Sequence, residues 1–214
     1  MSILARPWDR QPQEKAAATN YPGLKNLWNF GDKSGRCLIT GAAIVPPAQP
    51  LALTWVTGGL LLKVDSWSTT PAQLPIQIDA NAPITLVVGV QHISGTVNVS
   101  LMNPMWDGWY LQNGNNWVST NNTDFSGSVS PTAGSAGHMG ITYHAMTFGG
   151  ANDLRASLGG GPVALDSSCA APTPSSPNST IYLGDAVPSA GARSDFVISH
   201  LAVIQGAEIG RAHV

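Results

Sequence analysis

Charge is what this sequence has least of: Asp, Glu, Lys and Arg make up 10% of its 214 residues, and the net charge is −2. Soluble domains ordinarily carry about 25%. So weak a long-range field excludes electrostatic steering towards nucleic acid or an anionic membrane, and neither is expected as a partner. Glutamate is nearly missing, with Glu14 and Glu208 both close to the ends. The aspartates stand singly, mostly beside Gly, Asn or Ser, where Asp stabilises turns. A glycosidase needs paired carboxylates about 5–9 Å apart, and no strand offers such a pair. Cysteine is scarce too: Cys37 and Cys169 are far apart in sequence. A disulfide between them is one reading, and two reduced core thiols the expected one, since free Cys behaves as a small buried hydrophobe. "MSILARPWDRQPQEK" lacks the apolar core of a signal peptide, and no 18-residue apolar run exists. The expectation is a chain made in a cytoplasm and not exported by the general route. The Asn-x-Ser/Thr triplets at Asn98, Asn121 and Asn178 are then chance matches.

Helical periodicity is the next absence, because nowhere do apolar residues recur at helical spacing over a dozen positions. What is present instead is 23 Gly, 16 Pro and many short runs of alternating or apolar character. Residues 1–22 read as an extended arm: "ARPWDRQPQ" holds two prolines, which disfavour ladders and helices, and Trp8 as its one large apolar anchor. Residues 23–214 read as one domain. "LKNLWNF" is a first strand and "RCLITGAAIV" a second. "LALTWV" and "LLLKVDSWS" follow, then "LPIQID". "PITLVVGVQHI" is apolar enough for a central strand buried on both faces. "TVNVSLM" alternates, and "WDGWYLQNG" with "NNWVSTNN" makes a hairpin around Asn-Gly. "GHMGITYHAMTFGG", "LRASLGGGPVAL", "STIYLGDAV" and "DFVISHLAVI" supply the rest, and "QGAEIGRA" allows one helical turn. Short strands at roughly ten-residue spacing, with no fixed repeat, imply an all-β antiparallel sandwich or barrel and exclude a solenoid or propeller.

Chemistry-bearing motifs are few. His92, His138, His144, His200 and His213 lack metal-ligand spacing. His138 and His144 flank one predicted strand with no third ligand nearby, so hydrogen-bonded sheet or loop histidines are expected. There is no Gly-x-Ser-x-Gly elbow, Walker loop or dinucleotide fingerprint. "GGGP" at Gly159 to Pro162 reads as a turn, because neither Lys-Ser nor a helix follows it. No cofactor and no metal site are assigned. Asp107, Asp124, Asp153 and Asp185 fall near predicted loops as oxygen donors of the kind calcium takes, but nothing in sequence brings them together.

One cluster stands out. Between Met102 and Asn122 lie Trp106, Trp109, Tyr110 and Trp117 among six asparagines. Aromatic faces stack on the C–H faces of sugars, and Asn and Asp bond hydroxyls. Trp106, Asp107, Trp109, Tyr110, Asn113 and Trp117 are therefore candidate interface or glycan-binding residues. Aromatics with little charge also suit a protein interface. A third reading has the tryptophans alternating into the core while the asparagines make turns.

"TIYLGDAV" followed by "SDFVISHLAVIQGAEI" resembles the closing strands of concanavalin A-like, laminin G-like jelly-roll domains. "MTFGGANDLRASLGGGPVAL" resembles the preceding hairpin of that family, and "WVTGGLLL" its Gly-rich early strand. The resemblance covers about Leu27 to Ile209 and implies a β-sandwich closed by Phe196, Ile198, Leu201, Val203 and Ile204. The period slips at His200, which marks a bulge. "RPWDRQPQ" at Arg6 to Gln13 is similar to an opening found in phage structural proteins that carry this domain, with Asp9 where Thr is usual. The two resemblances together imply a tailed-phage virion component, non-enzymatic, most simply a capsid decoration or cement protein. Arg6, Pro7, Trp8, Arg10 and Gln11 of the arm would then contact the major capsid protein or another virion protein. A homo-oligomer, by preference a trimer, would suit that position. The alternative is a lectin-like tail or fibre module that meets a host glycan through the Trp106–Trp117 region.

Overall fold

The computed structural model describes residues 21–46, 54–64, 72–76, 82–94, 99–101, 108–112, 116–121, 124–129, 137–138, 140–150, 152–168, 180–183 and 194–206. They form fifteen strands and one 3-10 turn, Phe30–Asp32. The strands are β1 (Leu24–Asn29), β2 (Thr54–Val56), β3 (Gly59–Val64), β4 (Ala72–Pro75), β5 (Ile84–Ser94), β6 (Val99–Leu101), β7 (Gly108–Gln112) and β8 (Asn116–Asn121). β9 (Asp124–Val129), β10 (Gly137–His138), β11 (Ile141–Gly150), β12 (Asp153–Leu158), β13 (Ala164–Asp166), β14 (Thr180–Leu183) and β15 (Ser194–Gln205) complete them. No helix among the described residues is long and apolar enough to cross a membrane.

The strands make two antiparallel sheets. The larger has nine strands in the order β13-β12-β11-β5-β15-β3-β2, with β1 beside β15 and β10 beside β11. The smaller runs β4-β14-β6-β7-β8-β9. One apolar cluster lies between them. Trp28, Phe30, Leu60, Ile84, Leu86, Val88, Val90, Met146, Leu154, Ile198, Leu201 and Val203 come from the large sheet and its 3-10 turn, and Leu74, Ile181 and Leu183 from the small one. The fold is an all-β antiparallel sandwich, as the strand spacing predicts.

β5 and β15 form the spine of the large sheet. β15 pairs with β5 along its whole length on one side. On the other side β3 takes its first half and β1 its second. A register shift between Ile198 and His200 makes Ser199 the extra residue of a bulge. Strict alternation from Ile198 would send His200 and Ala202 inward. The inserted Ser199 puts Leu201 and Val203 into the core instead. The slip legible at His200 is this bulge. Ile204, however, is buried outside the inter-sheet cluster: it pairs with Thr85 on the outer face, because the bulge moved its phase as well. The side chain of Phe196 lies outside the described residues.

β5 is central, between β11 and β15, with Ile84, Leu86, Val88 and Val90 in the core. Its other face is only partly covered: Thr85 is buried, whereas Val87 and Gln91 are half-buried. The stretch "RCLITGAAIV" is not a strand. It makes isolated bridges, Trp28 to Cys37 and Arg36 to Ala43, around a reversal closed by Gly41 N–H donating to the Cys37 carbonyl at 2.8 Å. Side chains compete with the ladder here. Asp32, Ser34 and Thr40 each accept the backbone N–H two residues on, and Gly41 takes a φ of +74°, which a β-branched run cannot supply. The "LPIQID" strand begins two residues earlier than the pattern suggests and ends at Pro75, on the edge strand β4, where a missing N–H is tolerated. "GGGP" is a turn, with Gly159 and Gly160 at positive φ. The helical turn expected after Gln205 lies outside the described residues.

Candidate functional site

The aromatic–Asn cluster falls on a meander. β6, β7, β8 and β9 are successive antiparallel neighbours at one end of the small sheet. β7 pairs with β8 from Gly108 opposite Thr120 to Gln112 opposite Asn116, the two arms of the hairpin read from the sequence on either side of Asn-Gly. Trp106, Asp107 and Asn113 lie outside the described residues. Trp109 and Tyr110 are on β7 and Trp117 on β8. One row of cross-strand partners runs Leu74, Ile181, Leu101, Trp109, Ser119, and the next runs Ala72, Leu183, Val99, Leu111, Trp117. Leu74, Ile181, Ala72 and Leu183 are core residues. Backbone register thus gives Trp109 and Trp117 the parity of the core rows, and gives Tyr110 and Val118 the other parity.

The arm residues Arg6, Pro7, Trp8, Arg10 and Gln11 lie outside the described residues. Of the aspartates, Asp107 and Asp185 lie outside them as well, Asp124 opens β9, and Asp153 is in a bidentate ion pair with Arg155, at 2.6 and 3.0 Å. Among the described residues no three His, Cys, Asp or Glu side chains gather where a metal could be held. His138 and His144 do not share a strand. His138 pairs with Ile141 across a turn containing Gly140, and His144 stands between Val88 and Leu158 in the large sheet. Its residue is 4% exposed, and burial pushes its pKa down to about 4.

Cys37 is a buried free thiol. Its Sγ accepts N–H groups from Leu27 at 3.4 Å and Thr40 at 3.5 Å and the amide of Asn26 at 3.6 Å. Burial pushes the thiol pKa up, but hydrogen bonds from Thr40, Leu27 and Ile39 outweigh it and the net direction is down. Cys169 lies outside the described residues.

The outer face of the large sheet carries a group that the sequence alone did not single out. Tyr143, Gly89, His200 and Asn29 form one transverse row across β11, β5, β15 and β1. The Tyr143 hydroxyl lies 3.3 Å from His200 Nδ1, and that nitrogen lies 3.1 Å from Ser199 Oγ. Ser199 donates to the Gly89 carbonyl at 3.2 Å. The period slip at His200 was the one sequence signal pointing here. The pairing of Tyr143 and Gly89 has no local signature, because it joins residues far apart in the chain.

No family model matches the sequence, and no curated protein matches it. Solved structures do resemble the fold. A structure of botulinum neurotoxin type C, described by its interaction with two ganglioside molecules, matches with a TM-score of 0.58 and 7% identity, over 88% of this chain and 49% of that one. Trypanosoma rangeli sialidase in complex with 2,3-difluorosialic acid gives 0.56 and 12%, over 94% of this chain and 36% of that one. The binding domain of botulinum neurotoxin DC in complex with SialylT gives 0.58 and 8%, over 86% and 48%. The chain thus spans about half of the neurotoxin chains and about a third of the sialidase. At these identities the likeness is one of fold, an all-β antiparallel sandwich.

Proposed function

We propose that the chain is a non-enzymatic glycan-binding module whose contact surface is drawn from the β7–β8 hairpin and the segments that flank β7. The observation that carries this reading is the register of that hairpin. It separates Trp109 and Trp117, on core parity, from Tyr110, on the opposite parity. Tyr110, with Trp106 and Asp107 before β7 and Asn113 after it, then supplies the sugar contacts, along a strand long enough for more than one sugar unit. Two neighbours of the same fold are described with gangliosides or SialylT, which supports the ligand class without fixing it. Low charge suits a ligand recognised by stacking and hydroxyl contacts.

The test is a glycan microarray with the full chain and with Trp106→Ala. Trp106→Ala should keep the melting temperature and lose sugar binding. Trp109→Ala and Trp117→Ala should instead lose about 3–5 kcal/mol of stability, the usual cost of emptying a large aromatic core site. A wild-type chain that binds no glycan would remove this reading.

A second reading rests on the N-terminal sequence alone: a tailed-phage decoration protein, made in the bacterial cytoplasm and held on the shell by Arg6, Pro7, Trp8, Arg10 and Gln11, as a trimer. In it residues 1–22 are the arm and residues 23–214 the domain. Quantitative mass spectrometry of purified virions tests it. Copy number near that of the major capsid protein supports decoration, a few copies support a tail module, and absence removes the virion.

A further inference from the structure

In the row Tyr143–Gly89–His200–Asn29 the Tyr143 ring crosses over Gly89 towards His200. A Cβ at residue 89 would come within 2.9 Å of Tyr143 Cε1 and 2.5 Å of Ser199 Oγ, so the ring rests where that side chain would be. An aromatic covering a cross-strand glycine stabilises a sheet, and here it also leaves Tyr143 39% exposed. The ring is held at its edge as well. Ser199 donates to the Gly89 carbonyl. His200 Nδ1 lies 3.1 Å from Ser199 Oγ and 3.3 Å from the Tyr143 oxygen, so two hydroxyls bracket one ring nitrogen. The histidine ring is fixed in orientation and stands against the tyrosine, with centroids 6.1 Å apart.

The row carries no formal charge, and the next row on the same face, Ala145, Val87, Ala202 and Leu27, is apolar. Gln91, two residues along β5 from Gly89, lies against Gly140, and Asn29 ends the row on β1. On this face the Asp153–Arg155 ion pair sits further along: Arg155 is in register with Thr147, four residues beyond Tyr143 on β11. A part-exposed aromatic ring with an imidazole at its edge, an apolar row beside it and no formal charge in its own row fits the C–H face of a neutral pyranose. Ring faces are electron-rich and sugar C–H groups are weakly positive.

We propose that Tyr143, with His200 beside it, is a stacking platform for a neutral pyranose of an oligosaccharide, a second sugar contact on the sheet opposite the hairpin. This rests on the glycan-binding reading. The test is saturation-transfer NMR on the full chain with methyl glucoside, galactoside and mannoside as probes. Wild type should transfer saturation to at least one of them. Tyr143→Phe should retain the effect, and Tyr143→Leu, which still covers Gly89, should weaken binding about tenfold or more. Tyr143→Ala should do the same if it folds, and Tyr143→Leu decides if it does not. Transfer unchanged in Tyr143→Leu but lost in Trp106→Ala overturns the platform and leaves the hairpin reading standing. Transfer from none of the three sugars overturns the platform, and if the microarray is blank too, the glycan reading falls with it. Concentration-dependent self-association abolished by Tyr143→Leu, with no sugar transfer in wild type, would assign the face to a second copy of the chain instead.

Discussion

Lowering the pH from 7.5 to 5 should destabilise the fold by about 2 kcal/mol through His144 alone. His144 is 4% exposed, with Val88 on one neighbouring strand and Leu158 on the other, and its pKa is pushed down from 6.5 to about 4 by loss of water. Between these values the unfolded chain binds a proton that the folded chain refuses. Stability therefore rises with pH across that window. The contribution is complete above about pH 6.5 and is lost progressively as pH falls towards 4. The full shift of about 2.5 pH units corresponds to about 3 kcal/mol, of which about 2 has gone by pH 5. For a domain of this size that is a fall in melting temperature of about 4–8 °C. The assay is urea denaturation at pH 7.5, 6.5, 5.5 and 5.0 for wild type and for His144→Leu, comparing slopes and not absolute stabilities. Leucine removes the titration while keeping an apolar neighbour for Val88 and Leu158. The variant should lose about 2 kcal/mol less than wild type over the range, since other titrating groups cancel in the difference. Parallel curves for the two proteins would refute the argument, because they would mean that His144 binds its proton equally well folded and unfolded.

Two further predictions concern the bulge and its neighbour. Deleting Ser199 removes the extra residue, so His200 follows Ile198 directly and Leu201 and Val203 keep their partners Val88 and Leu86 and their core parity; the deletion should keep a cooperative thermal transition by circular dichroism, whereas inserting one residue after Ser199 should abolish it, and loss of the transition in the deletion would show that the ladder does not close across the missing residue. Gly89→Ala should cost about 1–3 kcal/mol by overpacking against Ser199 Oγ and the Tyr143 ring, and adding Tyr143→Ala should cost less than the sum of the two changes; strict additivity in a double-mutant cycle would mean that the ring does not rest on that glycine.

Much of the fold can be read along the chain because strands with one buried face advertise their period. β1, β5, β12 and β15 alternate or run apolar where the sequence pattern places them, and β7 and β8 pair as the two arms read on either side of Asn-Gly. The segment from Arg36 to Val45 has the composition of a strand but the hydrogen bonding of a turn, because Ser34, Thr40 and Cys37 Sγ all take backbone N–H groups that a ladder would need. Composition does not reveal that competition. Ile204 was placed inside because an apolar residue next to Val203 looks like core, whereas its phase is set by a bulge five residues earlier. For the sites the limit is different. Tyr143 and Gly89 meet only through the pairing of β11 with β5, so nothing within either segment marks them.

Ser199 ties the core to the outer face. Were Ser199 paired as an ordinary strand residue, His200 would fall on the parity of Ile198, an imidazole in the apolar cluster, and Leu201 and Val203 would face outward. Because Ser199 bulges out of the ladder, both apolar residues are recovered and His200 stands beside Tyr143. An unpaired residue in the middle of the longest strand would ordinarily leave backbone groups wanting partners. Here the Ser199 hydroxyl bonds the Gly89 carbonyl on the neighbouring strand while it also lies 3.1 Å from His200 Nδ1. Serine suits this place for that reason: alanine would leave the bulge intact but remove the hydroxyl that meets both the carbonyl and the imidazole. Gly89 is the other half of the device, since any side chain there would collide with both Ser199 and Tyr143. Packing of the sandwich and orientation of the Tyr143–His200 pair therefore follow from the same two positions, Gly89 and Ser199.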